Sequence, residues 1–414
     1  MEQALHGIRV VELTAGMAGP WIGRFMAWCG AEVIKIESRD YPDVTRLYVP
    51  PRHPKLGIQP QLSPWFTDWN AGKRFVALDL TKREAVALVK RLVARADVVV
   101  ENYAAGVVDK LGLGYAALRE VRPDLVMLGS SGFGATGPCR AHVTWGPNIE
   151  ALAGLATLSG FPERECTITQ YAYPDALSAL HGLVAVMGAL DHRLRTGEGQ
   201  HIDLSQFETT VSAIGHVLLE HLAGGQPRRH GNRSLHAAPH GCYRCQGEDR
   251  WCAIVIANDA EWERFCRLAG HPEWARDPRF ADLPSRLANA VDLDALVESW
   301  TSVRRDDEVM ETLQAAGIAA GVVQDVEDQA RRDPQLAARG FFEQIPHVKK
   351  GTVVATGVPL GLTGTPGRSG RAGAALGQDT DYVFGEVLGL SADEIRRHVD
   401  AGIIQMQEER ADAH

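Results

Sequence analysis

Residues 8–37 read IRVVELTAGMAGPWIGRFMAWCGAEVIKIE. The run Ile8–Leu13 is apolar and rich in β-branched residues, so it predicts a buried strand. A loop of small residues, Thr14–Pro20, leads into helical spacing over Trp21–Cys29, and Val33–Glu37 is strand-like again. The same alternation continues downstream. Val76–Leu80, Asp97–Glu101 and Leu125–Gly129 predict strands, and Lys82–Ala94 and Tyr115–Val121 predict helices. Continuous apolar strands alternating with helices imply an α/β fold, with a parallel sheet covered on both faces. Ligands of such sheets gather beyond the carboxyl ends of the strands. Attention therefore falls on Thr14–Pro20, Ser38–Asp43, Asn102–Gly106 and Ser130–Pro138.

Further along, long helices are expected over Asp175–Arg195 and Asp203–Leu222, then a Gly-, Pro-, Arg- and His-rich stretch, Ala223–Pro239. A hairpin over Gly241–Ile256 and helices at Ala260–Leu268, Asp292–Thr301 and Arg305–Ala316 suggest a smaller α+β domain. Beyond about residue 325 the chain reads as irregular, before helices near Asp381–Leu388 and Ala392–Ala401. The domain expectation is a large domain over 1–222 and a small one over 223–325, followed by a segment over 326–414.

At 414 residues, with 45% hydrophobic and 23% charged residues, the chain can bury a core without disulfide or metal staples. Net charge is −9, which argues against a nucleic-acid partner. No apolar run reaches the ~18 residues of a membrane span, and the N-terminus lacks the pattern of a signal peptide. Seven scattered cysteines argue against a disulfide framework. The expectation is a cytoplasmic enzyme without nucleic-acid or membrane partners.

Gly132-Phe-Gly134-Ala-Thr-Gly137 has the spacing of a dinucleotide loop. Pro138 and the polar residues after it open no helix to hold a pyrophosphate, so a substrate-facing glycine loop is the better reading. Cys242-Tyr-Arg-Cys245 lacks a clear second ligand pair for zinc and reads as two ordinary cysteines on a strand. Asp175, in Tyr171-Ala-Tyr-Pro-Asp-Ala-Leu-Ser-Ala-Leu-His-Gly182, stands in the first turn of a long helix. An acid there complements the helix dipole. The same dipole would keep a carboxylate ionised and aimed, as a nucleophile needs, with Tyr171, Tyr173, Ala172 and Ala176 shaping a partly dry pocket.

Taken in order, LHGIRVVELTAGMAGP, CGAEVIKIE (29–37), NAGKRFVALDL (70–80) and ADVVVENYAAGVVDKLGLGY (96–115) resemble the class III CoA-transferase family. SGFGATGP (131–138), YAYPDALSALHG (171–182), RTGEGQHIDLS (195–205), AAGIAAGVV (315–323), DPQLAARGFF (333–342) and LGQDTDYV (376–383) continue the resemblance, which runs from residue 5 to about 404. That superfamily includes formyl-CoA and carnitine CoA-transferases and the α-methylacyl-CoA racemases. The resemblance implies a Rossmann-like large domain completed by the C-terminal segment, a small domain, and an interlocked homodimer. It also implies a coenzyme A thioester as substrate, with no permanently bound cofactor.

By the same resemblance, Asp175 is the nucleophile. Asn102, Val107 and Lys110 would contact CoA, Lys73 and Arg74 would face its phosphates, and Leu78 would border the adenine. An oxyanion and substrate loop would comprise Met17, Ala18, Gly132, Gly134, Gly137 and Trp145, with backbone donors near Gly16–Gly19. The racemases of the family use a His-Asp pair where this chain has Pro147 and Asn148, and a glutamate near Asn258, which favours transferase over racemase. Formyl/oxalate transferases carry a glutamine where Met17 stands and glycines where this chain has Ser234–Pro239. A bulkier acyl group is therefore expected. A dicarboxylic acid is one candidate, its distal carboxylate held by Arg46, Arg233 and His236. The alternatives are an acyl-CoA racemase or epimerase, and a non-catalytic CoA-binding relative in which Asp175 only caps its helix.

Overall fold

In the computed structural model, which describes residues 2–48, 63–169 and 171–406, six strands pair in parallel. They are β1 (Arg9–Leu13), β2 (Glu32–Glu37), β3 (Arg74–Ala77), β4 (Val98–Glu101), β5 (Val126–Ser131) and β6 (His201–Ser205), in the order β3-β2-β1-β4-β5-β6. The chain starts at β1, winds outward to β3, then returns to the other side of β1 to form β4. The crevice between β1 and β4 is therefore the topological switch point.

Successive strand residues serve opposite faces, which is why these strands read as unbroken apolar runs. Val11, Leu13, Ile34, Ile36 and Val99 pack against α3 (Arg83–Val93) and a C-terminal π-helix, Asp381–Val387. Val10, Val33, Val98, Val126 and Leu128 pack against α1 (Ala18–Trp28) and the long α8 (Tyr173–Thr196). Between these lie α2 (Pro64–Trp69), α4 (Val107–Lys110), α5 (Tyr115–Arg119), α6 (Gly146–Leu152) and α7 (Leu155–Leu158).

Four elements differ from expectation. The third strand ends at Ala77, because Leu78 turns to bridge Ile404 and Ala77 O accepts from Gln405 N–H at 2.8 Å. Asp203 begins no helix. Ile202 and Leu204 alternate in strand β6, and the Ser205 hydroxyl then caps a helix by accepting from Glu208 N–H. The helix expected to run on to residue 222 is two, Gln206–Ala213 and Gly215–Leu222. The stretch read as irregular contains an antiparallel hairpin, Phe342–His347 with Gly351–Thr356.

The chain forms two compact units. One comprises Met1–Leu155, Ile168–Leu222 and Gln335–His414; the other comprises Ala156–Thr167 and Ala223–Pro334. Residues 156–167 thus join the smaller unit, and the return falls at 335, not 326. The smaller unit holds a three-stranded antiparallel sheet, His240–Arg244, Trp251–Val255 and Ala319–Val322, over a core of Trp262, Phe265, Phe280 and Trp300. All seven cysteines are free. Among the described residues, no helix is long and apolar enough to cross a membrane, and no cluster of His, Cys, Asp or Glu is placed to hold a metal ion.

Candidate active site

The carboxyl ends of β1 and β4 are tied together by one side chain. Asn102 Oδ1 accepts from Ala15 N–H at 2.9 Å, and its Nδ2 donates to Ala15 O at 2.9 Å. Gly16, with φ of +77°, turns the chain, and its N–H donates to Asp43 Oδ1 at 3.1 Å. Gly19 admits no side chain, since a Cβ there would stand 2.6 Å from Thr14 Cγ2 and 2.8 Å from Asn102 Cγ.

Beneath this β1–α1 loop lies a buried charge network. Lys35 Nζ donates to Thr14 O at 2.6 Å and pairs with Glu12 and Asp43. Lys73 Nζ donates to Pro20 O at 2.7 Å, to Asn70 Oδ1 at 2.9 Å, and pairs with Glu12 at 2.9 Å. Burial pushes Lys73 down to about 8, against the pull of Glu12. Burial also opposes the charge on Lys35, but Asp43, Glu12 and Glu37 overcome it and raise that group. The two ammonium groups thus grip the loop at Thr14 and at Pro20.

Asp175 sits in the first turn of α8, behind buried Pro174. Burial raises its carboxyl to about 6, opposed by hydrogen bonds from the backbone N–H groups of Ala18 and of Asp175 itself. The helix terminus therefore does not keep this acid fully ionised in the way its position alone suggests, because desolvation is the larger effect. Its Oδ2 is buried without a hydrogen-bond partner. A Cβ on Gly146 would lie 2.4 Å from that oxygen, so the missing side chain of Gly146 is what leaves the carboxylate its room. Glu150 braces the approach to α8 from α6, accepting from Thr169 N–H and Oγ1 at 2.9 Å each.

A cavity of about 920 Å³ opens over Asp175. Met17, Asn102, Gly132 and Trp145 line it together with Asp175. Ala18 contributes its N–H. Among the expected oxyanion donors, the Gly16 N–H is spent on Asp43. Gly134 is buried at φ +79° beside Asp203, and Gly137 is exposed; neither lines the cavity. Tyr171 packs its ring on Trp21 and Tyr173, and of that segment Ala172 lines the cavity.

Several expected contacts take other places. Lys73 is completely buried in the network under the loop, with no face left for a phosphate. Leu78 is completely buried in the core, where it cannot border an adenine. Arg46 is buried, bidentate on Glu37 at 2.8 and 2.6 Å, and bonded to Ala374 O, which removes it as a holder of a substrate carboxylate. Arg74 pairs with Asp379 and stacks on Tyr382. Lys110 is exposed and Val107 half-buried on α4, neither lining the large cavity. Arg233 and His236 belong to the smaller unit, where Arg233 pairs with Asp294 at 3.3 Å. Sequence reading missed Gly146 and the rings of Tyr48, Trp65 and Trp69 in the cavity wall. The Trp-Gly-Pro run at 145–147 is the one signal that could have pointed to the first.

The description of CoA-transferase family III matches residues 5–380. The chain belongs to CoA-transferase family III. It is thereby an enzyme of that class. A succinyl-CoA–D-citramalate CoA-transferase of Chloroflexus aurantiacus is 33% identical over 94% of this chain and 96% of its own length. A probable CoA-transferase of Mycobacterium tuberculosis is 32% identical over 96% of this chain, which spans half of that relative's length. Among solved structures, a CAIB/BAIF family protein from Brucella suis superposes with a TM-score of 0.85 at 32% identity, covering 94% of this chain and all of that one. The family III chain presents a half-buried carboxylate, one oxygen of which has no hydrogen-bond partner, to a large cavity at a strand-end crevice.

Proposed function

We propose that the protein moves CoA from an acyl-CoA thioester to a free carboxylic acid, with Asp175 as covalent nucleophile. The observation that carries this reading is the buried Asp175 Oδ2, which has no hydrogen-bond partner and has its approach kept clear by Gly146. A buried polar atom with a purely structural role is expected to have a hydrogen-bond partner.

Asp175 attacks the thioester carbonyl carbon, the C–S bond breaks, and CoA leaves as a thiolate, which gives an aspartyl mixed anhydride. The thiolate then attacks the aspartyl carbonyl, the anhydride C–O bond breaks, and the donor acid departs as a carboxylate. The acceptor carboxylate attacks the resulting aspartyl-CoA thioester and expels thiolate, which finally attacks the acceptor acyl carbon and frees Asp175. No net proton is consumed. Each tetrahedral intermediate needs N–H donors, and loss of one such donor typically costs about 10²–10³ in rate. The N-terminal turn of α1, whose Ala18 N–H already reaches Asp175, supplies them. In this reading the Asn102 side of the crevice receives the CoA arm, with Lys110 on α4, just after β4, offering charge to its phosphates.

A carboxyl near 6 would also serve as a proton-exchanging base, as an isomerase requires. The residues standing for the second base weigh against this. Pro147 and Asn148 carry no exchangeable proton pair, and Asn258 is occupied in capping a helix at Glu261 N–H. The homodimer is part of the proposal as well, supported by the helix Gly215–Leu222, which buries none of its residues.

The test is incubation with acyl-CoA followed by hydroxylamine or direct mass spectrometry. An aspartyl adduct at residue 175 is expected in the native protein and not in Asp175→Asn, with turnover down by about 10⁴ or more. Deuterium wash-in at the α-carbon without CoA transfer would instead establish the isomerase.

A further inference from the structure

The cavity over Asp175 has two sides, and the strand order fixes which residues occupy each. Asn102–Ala105 follow β4, and Arg140 and His142 lie in the connection after β5, so all of these stand on one side of the β1–α1 loop. Tyr48, Trp65 and Trp69 come from the connection between β2 and β3, on the other side. If the β4 side receives the CoA arm, the group beyond the sulfur extends across the loop toward these rings.

The rings form a wall. Tyr48 and Trp65 meet with centroids 5.5 Å apart at 74°, Trp65 and Trp69 at 4.9 Å and 74°, and Trp69 stands edge-on to Trp21 at 6.0 Å. Such edge-to-face contacts fix each ring's orientation. Trp65 is still 48% exposed and Tyr48 43% exposed, although both line a concave site. That apolar area gains by being covered. Among the described residues that line the cavity, none on this side carries a positive charge. Arg46 from the same connection is sequestered by Glu37, and Arg140, the one described lining residue with a permanent positive charge, is on the opposite side.

We infer that Tyr48, Trp65 and Trp69 form the acyl subsite, and that it prefers an aryl-bearing acyl group to a short diacid such as succinyl. This rests on the transferase reading for the direction in which CoA lies. It also replaces the distal-carboxylate role first sought for Arg46.

Unreactive CoA thioethers separate this inference from the chemistry at Asp175. Calorimetric titration of the full chain would compare S-(3-phenylpropyl)-CoA, S-propyl-CoA and S-(3-carboxypropyl)-CoA. The phenyl compound is expected to bind about 10-fold or more tighter than the propyl one, as burial of a ring against apolar side chains provides. The carboxypropyl compound should bind no tighter than propyl. Trp69→Ala should erase the phenyl advantage, with a smaller loss of propyl affinity, because the propyl group covers less of the wall. Trp65→Ala, at a half-exposed position, gives the same readout should loss of the Trp69–Trp21 contact prevent folding. Tighter binding of the carboxypropyl compound, especially if lost in Arg140→Ala, overturns the inference. So does an equal loss of all three affinities in the tryptophan variants, or no binding by any of them. Adduct trapping at Asp175 reports on the transferase reading independently of each result.

Discussion

Asp175 combines two requirements that oppose one another. A nucleophile must be ionised, yet a dry site that protects anhydride and thioester from water disfavours the charge. A carboxyl at about 6, instead of its ordinary 3.8, is the compromise reached here. Between those two values the folded protein binds a proton that the unfolded chain does not. Stability therefore falls as pH rises from about 4 to 6, and the penalty is complete above 6. Asp175→Asn is accordingly expected to be more stable than the native protein at pH 7–8, by on the order of 1–3 kcal/mol. The difference should vanish below about pH 4, which thermal unfolding across pH would show. Turnover of the native protein should decline as pH drops through about 6. Gly146→Ala probes the same space from the opposite side. Its Cβ would stand 2.4 Å from Asp175 Oδ2 and 2.8 Å from Ala172 Cβ, so the carboxylate must move. A displacement of that size costs roughly 10² in rate, to be read as lowered kcat with the fold retained by circular dichroism.

At the scale of elements, the β1–α1 loop is held less by its own sequence than by charges beneath it. Glu12 Oε1 and Oε2 engage Lys35 and Lys73, and the two lysines carry Thr14 O and Pro20 O. Lys73→Met would leave Glu12 buried with one partner fewer, at a cost of about 3–5 kcal/mol. Arg74→Met, which breaks a partly exposed pair with Asp379, should cost no more than about 1 kcal/mol. Chemical denaturation of the two variants measures the contrast. Were Lys73 a phosphate ligand, its loss would instead raise KM for acyl-CoA with little effect on stability. The neighbouring letters Gly72-Lys73-Arg74 could not separate these roles, because periodicity reports which face a residue takes and not where a long ammonium stem ends. The strands were legible for the converse reason: Val10, Val11, Val98, Val99 and Val100 are buried on both faces of the sheet, so their apolar runs carry the whole signal. Strand β6 was not, since exposed His201 and Asp203 alternate with Ile202 and Leu204 directly before a true helix.

For the molecule as a whole, the large unit is finished by chain from its far end. Asp379 accepts from Phe75 N–H, Asp79 N–H donates to Ile403 O, and Phe384 and Ile395 enter the core under β2 and β3. No local pattern announces such pairing across more than 300 residues, and only the resemblance pointed to it. What this closure leaves uncovered is the helix Gly215–Leu222, with Leu218 51%, Leu219 68% and Leu222 72% exposed. Three leucines on eight residues are more apolar surface than an isolated helix keeps in water without a partner. Covering each is worth about 1.5–3 kcal/mol, enough for a self-association that Leu219→Glu with Leu222→Glu should reverse. Light scattering behind size exclusion is expected to give twice the 45.0 kDa chain mass for the native protein and a lower mass for the double variant. A native protein that elutes as a single chain at micromolar concentration would remove the homodimer from the proposal while leaving the Asp175 cavity, which lies wholly within the large unit, untouched.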